Sequence, residues 1–235
     1  MKNQIMKNQL IKNLALGAML FSFVACGGEK VNTDTKTTAE IEMRTDKMQG
    51  GQKQEDYQFD KKTQLRHGKS TLYFEDGKVL IEQTFDQGKL VGKHLMYYLN
   101  GKVNSEVFFV VGKREGAFKD FFEDGTLKQE GVYKNELIEG PLKTYYANGK
   151  LKEIVMFVGG TENGAFEDFD EAGRLKARGT YVTNAEGEAK ENGLLEEMDS
   201  TGQVIAKKDC EMGTCYQIWD IKIGDMKPNR IPKQK

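Results

Sequence analysis

The chain has 235 residues, with 35 Lys and Arg against 36 Asp and Glu, a net charge of −1 and 30% charged residues. That balance excludes a strongly basic nucleic-acid binder and an acidic solvating chain, so no nucleic acid is expected among its partners. Two histidines and three cysteines leave little material for a metal centre.

Lys2, Lys7 and Lys12 form a basic start, and Leu14 to Val24 is an apolar stretch too short to span a bilayer. This is the order of a secretory signal. The stretch closes on Phe23-Val24-Ala25-Cys26-Gly27, which resembles the lipobox of bacterial lipoproteins. The resemblance implies cleavage just before Cys26, acyl chains of the palmitate kind on that residue, and stable anchoring to a membrane. Residues 1–25 are then a signal peptide, and the expected location is the bacterial cell envelope, on its periplasmic or surface face. With Cys26 assigned to lipid, Cys210 and Cys215 remain as an even pair in a compartment that permits disulfides. The intervening Glu-Met-Gly-Thr suits a hairpin turn that brings the two sulfurs together across adjacent strands.

Residues 26–55 carry the lipidated cysteine and then Thr, Lys, Gln, Glu and a Gly50-Gly51 pair, with few large apolar side chains, which predicts a flexible tether. From 56 to 209 the chain repeats. Gly68, Gly92, Gly116, Gly140 and Gly164 recur every 24 residues, and Gly193 follows after one slip of five. Nine residues after each comes a second glycine, from Gly77 to Gly202. A fixed period of this length marks a chain built by stacking one supersecondary unit.

Counting from the first glycine of each unit, position five is Tyr73, Tyr97, Phe121, Tyr145, Phe169 and Met198. Position eleven is always Val or Leu, and position seventeen is aromatic until Cys210. Such residues between turn signals predict short strands. Tips such as Glu75-Asp76-Gly77 suit a type I turn closed by a G1 bulge, which sets position five opposite position eleven. Positions five, eleven and seventeen are then expected on one, better buried face. The expected fold is all-β, an elongated single-layer antiparallel β-hairpin solenoid. Residues 210–224 are expected to form a capping hairpin, and residues 225–235 a disordered basic tail.

The pattern G-x-x-x-x-[YF]-[YF]-x-[DN]-G-[KT]-[LV], with a following aromatic and glycine, resembles the MORN-repeat variant of the YwqK-like antitoxin family over residues 57 to 209. The resemblance implies a MORN-type hairpin solenoid that works as an interaction scaffold. The antitoxin label implies, as an alternative, an immunity protein that neutralises a toxin.

The chemistry-bearing residues form no nucleophile, phosphate-binding or dinucleotide motif, which predicts a nonenzymatic monomer without cofactor or metal. Its expected partners are a membrane, through the lipid, and a protein or envelope component. His67 and His94 are read as bystanders, and Glu75, Glu123 and Glu171 as a solvated rim. One stripe stands out: Phe74, Tyr98, Phe122 and Tyr146 at position six are a candidate binding surface, or else aromatic packing on the second face of a thin sheet, shared with Phe118, Leu142, Phe166 and Leu195 at position two.

Overall fold

The computed structural model describes residues 39–47 and 53–227. The signal peptide, Cys26 and the Pro228 to Lys235 part of the tail lie outside the described residues. The rest forms a single open antiparallel sheet of nineteen strands, with no helix among the described residues.

The strands follow one another as a meander. The first three are β1 (Ile41–Lys47), β2 (Lys53–Asp60) and β3 (Leu65–Tyr73). Next come β4 (Val79–Asp86), β5 (Lys89–Leu90), β6 (Gly92–Tyr97) and β7 (Val103–Val110). The middle holds β8 (Lys113–Phe121), β9 (Leu127–Lys134), β10 (Leu137–Ile138), β11 (Gly140–Tyr145) and β12 (Leu151–Val158). Then follow β13 (Thr161–Phe169), β14 (Leu175–Thr183), β15 (Ala189–Glu191) and β16 (Gly193–Met198). The end is β17 (Val204–Glu211), β18 (Thr214–Asp220) and β19 (Gly224–Asp225).

The pairing of position five with position eleven holds in all six units: Tyr73 faces Val79, Tyr97 Val103, Phe121 Leu127, Tyr145 Leu151, Phe169 Leu175 and Met198 Val204. Position seventeen does not share their face. One step below each tip a register shift inserts an unopposed residue, as Leu80 between the pairs Tyr73–Val79 and Leu72–Ile81. The bulge moves everything below it to the opposite side. Position seventeen therefore joins position two: the rings of Phe118 and Tyr133 lie 4.5 Å apart, and those of Phe166 and Tyr181 4.4 Å apart. This second face is also the better buried one, because Phe118, Val155, Phe166, Ala206 and Cys210 belong to it.

Further departures concern boundaries. The tether expected up to residue 55 becomes strand at Ile41, and β1 pairs with β2 along its whole length. Its composition is poor in core residues, but the backbone of β2 supplies the template. Arg44 lies 3.5 Å above the Phe59 ring, and the Thr45 hydroxyl donates to Asp56 Oδ1 at 2.5 Å. The five-residue slip before Gly193 has a structural origin as well. Where other units make a two-residue turn, Asn184 to Glu188 form a five-residue turn like those at the tips, with Gly187 N–H donating to Asn184 O at 3.1 Å, and each flanking strand gains a residue. At the far end, the hairpin expected over 210–224 already begins in β17 at Val204, and the tail expected from 225 first completes β19, with Asp225 paired to Trp219 and Met226 N–H donating to Ile218 O at 2.7 Å. Cys210 and Cys215 are bonded at directly opposed positions.

Candidate binding surface

Each hairpin tip is a closed five-residue turn. Its first residue is the position-six aromatic in the first four units. The N–H groups of Phe74, Tyr98, Phe122 and Tyr146 each donate to the carbonyl four residues on at 2.8 Å. The Asp or Asn two residues later accepts from the backbone: Lys78 N–H donates to Asp76 Oδ1 at 3.1 Å and Thr126 N–H to Asp124 Oδ1 at 2.8 Å. These backbone donors hold the Asp76 and Asp124 carboxyls below the ordinary carboxylate range.

The stripe residues are all half-buried. Their phenol groups separate them into two kinds. Tyr98 O–H donates to Phe121 O at 2.7 Å, Asn100 Nδ2–H to Glu123 O at 2.8 Å, and Lys102 Nζ–H to Asp124 O at 2.5 Å. One double unit later, Tyr146, Asn148 and Lys150 repeat the three bonds on Phe169, Glu171 and Ala172, at 2.8, 2.9 and 2.8 Å. Asp76 and Asp124 cannot do the same, because a carboxylate has no donor. Over the first four units the real period of the tips is thus two units. The signal lay in the sequence as the alternation Phe, Tyr, Phe, Tyr at position six and Asp, Asn, Asp, Asn at position eight.

The opposite rim is built from two-residue turns with both residues in the left-handed region, as type I′ requires. Gln87-Gly88, Asn135-Glu136, Gly159-Gly160 and Met212-Gly213 are of this kind, and so is Val111-Gly112, with φ of 51° and 82°. A β-branched residue pays heavily for positive φ. Yet Val111 is 59% exposed, beside Val110 at 56%, with Leu137 at 48% and Val158 at 54% on the same rim. Sequence reasoning missed this rim, since a lone Val before Gly carries no periodic signal.

Four of the units match the MORN repeat variant. The family model covers residues 66–87, 90–110, 114–135 and 138–158. No curated protein matches the chain. Among solved structures, one described as "Crystal Structure of TcdB2-TccC3" aligns with 75% of this chain at 11% identity and a TM-score of 0.16. The chain spans 13% of that structure's length, and a likeness of this size carries no argument.

The remaining predicted residues are scattered over the repeat array. His67 Nδ1 lies 3.2 Å from Asp86 Oδ1, while the His94 ring sits 5.6 Å from that of Phe109, and burial lowers its pKa. Glu75, Glu123 and Glu171 are exposed at alternate tips. Among the described residues no three His, Cys, Asp or Glu side chains are grouped to hold a metal ion, and no helix is long and apolar enough to cross a membrane.

Proposed function

We propose that this chain is a noncatalytic MORN-type repeat scaffold, held at a bacterial envelope membrane by lipid on Cys26, whose two-residue-turn rim receives a protein partner. The observation that carries this reading is Val111. It occupies a turn position where Asn135 and Gly159 stand in the next two turns, at a φ that disfavours its side chain, and it displays that side chain to solvent. Folding gains nothing from this arrangement, whereas a contact surface gains an apolar knob. Val110 continues the surface beside Val111, and Val158 stands roughly 19 Å away, four strand spacings. The aromatic stripe is the weaker surface, because the hydroxyls of Tyr98 and Tyr146 are already committed to neighbouring tips.

The test is in-cell crosslinking and capture with the wild type, a Val110→Ser, Val111→Asn, Val158→Ser variant, and a Phe74→Ser, Phe122→Ser variant. Loss of the captured protein from the folded rim variant alone is the expected result. Loss from the stripe variant alone transfers the function to the tips, and a toxin in the captured material replaces the scaffold reading with that of an immunity protein. Cys26→Ser is expected to release the protein from the membrane fraction.

A further inference from the structure

One row of side chains crosses the better buried face from β7 to β16. Its neighbours in register are Ser105, Asp120, Gln129, Thr144, Glu153, Asp168, Ala177 and Glu197. The row contains its own internal control. Asp120 is satisfied from both sides: Ser105 O–H donates to Oδ1 and Gln129 Nε2–H to Oδ2, each at 2.6 Å. Asp168 stands in the same place 48 residues later, but Glu153 replaces Ser105 and Ala177 replaces Gln129. Both donors are gone, and one has become a second carboxylate directly opposite. On the other side of Glu153, Thr144 Oγ1 is buried without a hydrogen-bond partner.

The surroundings do not neutralise the pair. On β13, Glu162 adds to the repulsion at Glu153, and on β14 and β15 Tyr181 and Glu191 close the cluster. Lys152 and Lys176 offset it in part. Glu197 on β16 is occupied by Lys208 of β17 at 2.5 Å. Like charges so placed favour holding one proton between them.

We propose that Glu153 and Asp168 are a proton-sharing pair, which makes β12 and β13 the acid-responsive segment of the sheet. Taking up one proton from solvent removes the repulsion and supplies the donor that Ser105 gives Asp120. Burial pushes both carboxyls upward, and Asp168 adds to the shift at Glu153. A carboxyl raised in the folded state contributes stability that is complete below its unfolded pKa and is lost as pH rises through its folded pKa. The segment is therefore firmest in mild acid.

The test is a side-chain carboxyl NMR titration of the wild type, with amide exchange in β12 and β13 corrected for intrinsic rates. The expected result is a pair midpoint above the ordinary carboxylate range and protection that rises on acidification, about tenfold for each unit by which the midpoint is raised. Both carboxyls titrating in the ordinary range overturns the proposal. Glu153→Ser with Ala177→Gln transplants the Ser105 and Gln129 environment. It is expected to fold and to abolish the acid response, and a response that survives in this variant also overturns the proposal.

Discussion

The Tyr98 hydroxyl donates to the Phe121 carbonyl at 2.7 Å, a bond between residues 23 apart that ties one hairpin tip to the next. Phe74 and Phe122, in the alternate units, have no hydroxyl to give. Removing the bond leaves a half-buried carbonyl without this partner, so Tyr98→Phe should lower stability by about 1 kcal/mol in urea denaturation. Tyr146→Phe should do the same. Equal stability of wild type and both variants would show that the tips are joined by their backbones alone.

Val111→Asn should raise stability by about 1 kcal/mol, because Asn tolerates the left-handed region that a β-branched side chain resists. The same change should weaken capture of the partner. A thermal melt beside the crosslinking assay reads both effects, and opposite signs are the outcome that links strain to function.

Gly131 and Gly179 have ordinary backbone angles, so only space demands glycine there. A Cβ at Gly131 would lie 2.8 Å from the Phe118 ring, and one at Gly179 2.8 Å from the Phe166 ring. Gly131→Ala should cost about 1–3 kcal/mol by overpacking, measurable as a lower midpoint in chemical denaturation.

Reduction of the Cys210–Cys215 bond should loosen the β17–β18 end rather than the whole sheet, since units in such an array contact only their neighbours. For so small a loop the expected loss is about 2 kcal/mol. Amide exchange should rise in β18 while β8 and β9 stay unchanged.

Tyr97 O–H donates to Glu82 at 2.5 Å and Tyr145 O–H to Glu130 at 2.9 Å. Burial, then the bonded carboxylate, pushes both phenols up to about 12. Their stabilising effect is whole below the ordinary phenol value of 10 and is lost as pH rises through about 12. Tyr97→Phe with Tyr145→Phe should flatten the stability curve between these limits, and an unchanged alkaline limb would separate the two phenols from alkaline unfolding.

The sequence by itself determined the 24-residue period, the all-β class and the tip geometry. Each is a local matter: Gly77 and its equivalents take positive φ, Asp76 or Asn100 caps the turn, and the turn sets Tyr73 opposite Val79. The tertiary structure decided what depends on strand pairing beyond the turn itself. Leu80 and its counterparts bulge one step below the tip, and that single extra residue carries Phe85 and Tyr133 to the face opposite Tyr73 and Phe121. The pairing of units through Tyr98 and Tyr146, the strand at Ile41 and the opposition of Glu153 to Asp168 are of the same kind. Turn chemistry acts over four or five residues. Register between successive hairpins is a sum over whole strands, and one inserted residue reverses every side chain after it.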